Sequence, residues 1–327
     1  MRRMLLEVKN LSVYYYTLSG VVRGAENVSF SVKEGEWITF VGESGSGKST
    51  VAHAVMNIVP SPGRIVSGEV IFNGKNLLDM DKEELRQIRG KELSMVFQDP
   101  MTSLDPLRKV GDQIVETMTV HGVPEEEAKE QAKELLEKVN LPADRLDYYP
   151  HQLSGGQRQR ISIAMAMAFK PKLIIADEPT TALDVIVQDA IMDLIDEMKA
   201  EGTSIYFVTH DISLAAERSD RIAVMYAGKL VEIGTTEQII ENPLHPYTRG
   251  LVQSVPDLWK EGEVKPIEGY PPDLRSPPSG CRFHPRCPVF KEKAELKGLC
   301  NAVEPELIEV EPGHLVACHL HGGARNE

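Results

Sequence analysis

Cysteine is absent from the first 280 residues of this 327-residue chain and occurs four times in the last 47. Four cysteines gathered at one end are too few and too local for a secreted disulfide scaffold. Long hydrophobic runs are also lacking. No apolar stretch approaches the roughly 18–20 residues that span a bilayer, and the start, MRRMLLE, acquires an acid at Glu7 too soon for a secretory signal. The expected compartment is the cytoplasm, with any membrane role reached through a partner. Positive charge is in deficit: 36 Lys and Arg against 49 Asp and Glu leave a net charge of −13, which argues against coating nucleic acid. Internal repeats and low-complexity runs are missing too.

What is present is a globular composition, 42% hydrophobic and 26% charged, on a chain longer than one core usually serves. One large domain with an appendage, or two domains, is expected. The first 95 residues show strand character with frequent turns in VSFSV, EWITFVG, GEVIFNG and LSMVFQ. Helix is expected over about 111–139, where EEEAKEQAKELLEKV places acids early and lysines late. LSGGQRQRISIAMAMAF is helical, and KLIIAD and SIYFVTH are apolar runs of buried-strand length. Between those runs lies VIVQDAIMDLIDEMKAEG, an amphipathic helix ended by Gly202. Strand, helix, strand implies parallel strands in a doubly wound α/β sheet. VMYAGKLVEIG resumes short strands, and from about residue 236 prolines, turns and the cysteines dominate.

Three segments carry chemistry. GESGSGKST, from Gly42 through Glu43, Ser44, Gly45, Ser46, Gly47, Lys48 and Ser49 to Thr50, fits G-x-x-x-x-G-K-[ST] between the strand WITFV and the helix STVAHAVMNIV. The glycines let backbone N–H groups turn inward around phosphates, Lys48 adds a point charge, and Ser49 a hydroxyl for Mg²⁺. LIIADEP delivers Asp177 and Glu178 to a strand's C-terminal end, where open α/β sheets bind ligands. Asp177 suits Mg²⁺ and Glu178 suits polarising an attacking water. In LSGGQRQR, Ser154 and Gln157 fit a capping box, while Gly155 and Gly156 leave the helix start bare enough to receive an anion from another molecule.

With these segments the chain resembles the ATP-binding cassette family over nearly every residue. The resemblance implies ATP and Mg²⁺ as cofactors, VFQDP with Gln98 as a glutamine loop that also faces Mg²⁺, LSGGQ as the signature, and TALD with Asp184 as a dimer loop. It also makes VTHD, with His210, a switch against the γ-phosphate. NLSVYYY matches the place where an aromatic stacks on adenine; counting from Asn10 favours Tyr15, with Tyr14 and Tyr16 as alternatives. A narrower resemblance, carried by VFQDPMTSLDPLRKVGDQI, NPLHPYTRGLVQSVP and PSGCRFHPRCP, points to ATPase subunits of oligopeptide/dipeptide permeases. DNA-handling or ribosome-acting cassettes are disfavoured by the single phosphate loop and the short span between Gln98 and Leu153, and a P-loop kinase would lack LSGGQ.

The implied fold is a RecA-like P-loop core with an antiparallel β subdomain over 1–97 and 170–235. A helical subdomain occupies 98–169 and a cysteine-containing extension 236–327. The resemblance further implies two cassettes meeting head to tail to sandwich ATP, the second favoured as a paralogue. Its other implied partners are two transmembrane permease subunits and an extracytoplasmic solute-binding protein, with the chain peripheral on the cytoplasmic membrane face and no nucleic acid partner. The sequence itself is silent on cargo; the resemblance implies peptide, with oligosaccharide as the alternative. Cys281, Cys287, Cys300 and Cys318, separated by five, twelve and seventeen residues, suffice for a Cys₄ metal centre. Spacing alone does not choose the metal; the resemblance favours a [4Fe-4S] cluster, with zinc, aided by His284, His314 or His319, and disulfides as alternatives. Far in sequence from the phosphate loop, this tail is expected to be structural.

Overall fold

The computed structural model describes residues 3–99, 103–181, 183–255 and 267–322; Pro100, Met101, Thr102, Ala182 and Pro256, which belong to motif segments above, lie outside them. The chain divides into two compact units.

One unit is built mainly from residues 79–207. Its strands β6 (Leu93–Val96) and β7 (Leu173–Asp177) pair in parallel, and β8 (Ser204–Val208) lies beside β7. All three are buried along their whole length, which is why they appear as unbroken apolar runs rather than alternating ones. The helical region expected at 111–139 is two helices, α3 (Val110–Thr119) and α4 (Glu125–Lys138). Gly122 at φ +89° turns the chain between them, and Pro124 stands at the cap of the second. Ile114, Met118, Ala128, Ala132 and Leu136 are fully buried. A short helix, α2 (Lys82–Ile88), was not anticipated, although its capping box, Asp81 with Glu84, is visible in the sequence. The signature helix α5 (Gly155–Met167) and the amphipathic α6 (Val185–Ala200) complete the unit.

The other unit joins residues 5–32, 37–78 and 208–327. Here β1 (Met4–Thr17), β2 (Gly20–Lys33), β4 (Gly63–Phe72) and β5 (Lys75–Asn76) form one sheet in the order β2-β1-β4-β5, with β1 and β4 antiparallel through pairs such as Leu6 with Phe72. A second set runs in the order β11-β12-β10-β9-β3. In it β3 (Trp37–Val41) and β9 (Arg221–Tyr226) are parallel, and β10 (Lys229–Thr235) returns antiparallel to β9 through the Ala227-Gly228 turn. Helix α1 (Lys48–Val55) follows β3.

The extension is folded onto this unit. Two of its strands, β11 (Ile308–Glu311) and β12 (His314–Val316), continue the sheet by pairing β12 with β10. Tyr247, Val252 and Phe283 enter the same core as Val41, Val224 and Tyr226, each large side chain contributing about 1.5–3 kcal/mol by burial. Glu232 of β10 fixes the attachment: its buried carboxylate accepts from Leu244 N and His245 N, both at 2.8 Å, and lies 2.7 Å from Nε2 of buried His314.

Candidate active site

The phosphate-loop segment is a tight turn between β3 and α1. Gly42 and Gly47 have φ of +151° and +103°, and a Cβ would stand 2.2 Å from the Met225 carbonyl oxygen at Gly42 and 2.3 Å from that of Gly24 at Gly47. Only glycine fits either place. The loop is also tied from below, since Gly228 N donates to Ser46 O at 2.8 Å. Helix α1 begins with no side-chain cap and no acid in its first turn, so its positive dipole end favours an anion. Lys48, 4% exposed, donates through Nζ to Gly42 O at 2.8 Å and Glu43 O at 3.2 Å.

Tyr15 lies against this loop. Its hydroxyl is 3.2 Å from Thr50 Oγ1, and a Cβ at Gly24 or Gly63 would come within 2.7 Å of its ring. The two alternatives are placed differently: Tyr14 donates to Glu26 at 2.7 Å, and Tyr16 is exposed with the Arg64 guanidinium 5.7 Å from its ring centre. His210 is exposed and follows Thr209, whose amide bonds Phe40 O at 3.1 Å, two residues before the loop's first glycine.

In the other unit, Asp177 ends β7 almost fully buried, and Glu178 follows at φ +44°, a left-handed conformation that costs a non-glycine residue of order 1–3 kcal/mol. Its carboxylate accepts from Gln98 Nε2 at 3.2 Å and Thr181 Oγ1 at 3.0 Å. Tyr206 of β8 is buried, and that burial, reinforced by the charge of Asp177, pushes its pKa well above the ordinary phenol value. The expected capping box is present: Gln157 N donates to Ser154 Oγ at 3.3 Å and Ser154 N to Gln157 Oε1 at 3.0 Å. Gly156 leaves room for Val187, which would be 2.5 Å from a Cβ there, and Asp184 caps α6 by accepting from Val187 N at 3.0 Å.

Two contributors were not anticipated. Glu43 N donates to the hydroxyl of Tyr247 at 2.9 Å, and the Glu43 carboxylate is held by both Nη atoms of Arg286, at 2.7 and 2.9 Å. Both partners belong to the extension, and both stand in quoted segments, HPYT and SGCRFHPRC. Nothing in their spacing joins them to a loop about two hundred residues earlier. The extension therefore touches the phosphate-loop segment at Glu43, a contact beyond the structural role expected of the tail.

The four cysteines line one pocket walled by Phe283, Val289, Phe290, Leu296 and Leu320, and none is in a disulfide. Burial pushes the thiols up, Cys281 to about 11 and Cys318 to about 12, and the neighbouring cysteines push the same way. Among the described residues no three His, Cys, Asp or Glu side chains are grouped to hold a single metal ion. Of the histidines considered as helpers, His314 pairs with Glu232, His284 Nδ1 lies 2.8 Å from Cys281 O and His319 Nε2 lies 2.8 Å from Val303 O.

Residues 25–181 match the family described as ABC transporter, and residues 231–293 match the oligopeptide/dipeptide transporter C-terminal region. The oligopeptide transport ATP-binding protein OppD of Bacillus subtilis is 46% identical over 323 residues, covering 97% of this chain and 88% of that protein. The dipeptide transport ATP-binding protein DppD of Caldanaerobacter subterraneus subsp. tengcongensis is 44% identical, covering 98% of each. A dimeric structure of the ATP-binding cassette MJ0796 in a post-hydrolysis state, bound to ADP and Pi, superposes with a TM-score of 0.63 at 32% identity, covering 71% of this chain and 99% of that one. Among the described residues no helix is long and apolar enough to cross a membrane.

Proposed function

Since the chain belongs to the ABC transporter family and carries its oligopeptide/dipeptide C-terminal region, we propose that this ATPase drives uptake of di- and oligopeptides through membrane-embedded partners. The observation that carries the peptide reading is similarity that runs through the extension as well as the cassette.

Residue by residue, the backbone of Gly42 to Thr50 and the ammonium of Lys48 receive the phosphates, and Tyr15 stacks on adenine. Ser49, Gln98 and Asp177 serve Mg²⁺, Glu178 takes a proton from the attacking water, and His210 meets the γ-phosphate. Ser154, Gly155, Gly156 and Gln157, with Asp184, face the nucleotide of a second cassette, favoured as a paralogue. ATP ties the two cassettes together and hydrolysis releases the tie, so closing and opening drive two permease subunits at the cytoplasmic membrane face, fed by an extracytoplasmic solute-binding protein.

Cys281, Cys287, Cys300 and Cys318 form the cradle of a [4Fe-4S] cluster. The donor set fits: four thiols share one apolar pocket, and each costs free energy to ionise there unless a cationic centre compensates. Zinc, which would draw the four sulfurs to about 2.3 Å from a single ion, is the alternative for the same donors. The cluster, when bound, cross-links the extension.

Reconstitution with the permease subunits and binding protein in vesicles tests the transport reading. ATP-dependent uptake of labelled dipeptide, lost in Lys48→Ala, is expected; uptake of oligosaccharide instead would reassign the cargo. Anaerobic purification with iron, sulfide and zinc analysis tests the cradle, and one equivalent of zinc without iron would replace the cluster.

A further inference from the structure

Glu43 offers four polar groups, and the structure divides them between two directions. Its carbonyl oxygen serves the loop itself, accepting from Ser46 N at 3.1 Å and from the Lys48 ammonium at 3.2 Å. Its amide and both carboxylate oxygens point to the extension, the first to Tyr247 and the others to Arg286. The Arg286 side chain is 6% exposed and has no slack: Nε donates to Glu268 O at 2.9 Å, and Nη1 also reaches the Tyr226 hydroxyl at 3.3 Å. A planar fork on a carboxylate fixes orientation as well as distance, which a lysine could not do.

We infer that Arg286 is a positioning residue for ATP binding, acting through Glu43. It holds the residue on whose carbonyl Lys48 rests, and it neutralises a carboxylate that would otherwise stand as a free anion beside the phosphate site. Arg286 immediately precedes Cys287, and Cys281 N bonds Cys300 O at 2.9 Å, so the same short segment carries both the cysteine pocket and this clamp. The extension thereby becomes part of the nucleotide site. The inference rests on residues 42–50 being the phosphate loop, and it does not depend on what the cysteines bind.

Removing Arg286 leaves Glu43 partly exposed, so its charge can be hydrated, and the variant does not strand a buried ion. The test is equilibrium binding of MgATP, MgADP and adenosine to the full chain carrying Arg286→Ala, alone and with Glu43→Gln, beside Lys48→Ala. Arg286→Ala is expected to weaken MgATP and MgADP about tenfold and adenosine hardly at all, because the lost neutralisation is felt by phosphate. Adding Glu43→Gln is expected to recover most of the loss, since the anion is then gone. Unchanged MgATP affinity in Arg286→Ala, or a loss that extends equally to adenosine and is not recovered by Glu43→Gln, would overturn the inference. Lys48→Ala separates the premise: if it too binds MgATP like the wild type, the phosphate-loop reading itself fails. Should Arg286→Ala melt early, Arg286→Gln, which keeps a donor for the Glu268 carbonyl, carries the same comparison.

Discussion

Gln98 Nε2 donates to Glu178 Oε2 at 3.2 Å, and Thr181 Oγ1 donates to the same oxygen at 3.0 Å. A carboxylate held by two side chains on a backbone already bent to φ +44° is fixed in direction before any substrate arrives. Glu178→Gln is therefore expected to cut steady-state hydrolysis by about 10²–10⁴-fold while MgATP still binds, and to favour the cassette dimer. Phosphate release and gel filtration with MgATP check this; turnover near the wild-type rate would remove Glu178 from the role of base.

Ser154 is both a cap and the exposed tip of the signature helix. Ser154→Ala should cost about 1 kcal/mol of stability through the lost cap and little else in the monomer. Ser154→Arg should add a block to dimerisation and hydrolysis while monomer nucleotide affinity stays near the wild-type value. Thermal melting alongside light scattering with MgATP distinguishes the two, and a loss of monomer nucleotide binding in either variant would point to an unfolded segment.

Tyr15 touches Thr50 through its hydroxyl, while its ring packs beside two glycines. Tyr15→Phe should keep stacking and bind ATP within about twofold of wild type, whereas Tyr15→Ala should lose about 1–3 kcal/mol. Fluorescent-nucleotide titration compares them. Equal affinity in all three would return the adenine platform to another residue.

His245 is fully buried, and burial pushes its pKa down to about 4 despite the attraction of Glu232. The unfolded chain takes up this proton near pH 6.5, before the folded one does. Its contribution to stability is thus complete above about pH 6.5 and is lost as pH falls toward 4, by at most about 3 kcal/mol. The neutral ring is needed because Nδ1 accepts from Tyr247 N at 3.0 Å. Urea melts at pH 7.5, 5.5 and 4.5 should show a shallower acid dependence for His245→Gln than for wild type; parallel curves would place the acid sensitivity elsewhere.

Much of the cassette is legible because its requirements fall on consecutive residues. WITFV, LIIAD and SIYFV declare themselves as buried strands by unbroken apolar character, and the phosphate loop by glycines at positions where a Cβ would collide with backbone. Helix α3 merges with α4 in a reading by composition, since the strong helix formers of α4 dominate the stretch, α3 itself is mostly β-branched residues, Gly and Asp, and only Gly122 and Pro124 part them. Strands β11 and β12, four and three residues long, have too little pattern to be seen and exist because β10 offers an edge. The clamp on Glu43 joins residues 243 apart, and no local rule links them.

The three donors gathered on Glu232 bear on how such a chain could be altered or assembled from parts. A cassette with an apolar residue at that position of its last core strand would gain little from receiving residues 236–327. The buried His245 amide would lose its acceptor at about 1–3 kcal/mol, the part-buried Leu244 amide would lose its own at less, and His314 would lose its partner. In such a recipient a graft boundary drawn at residue 236 would therefore destabilise the chimaera, whereas a boundary drawn before Lys229 would carry lock and key together.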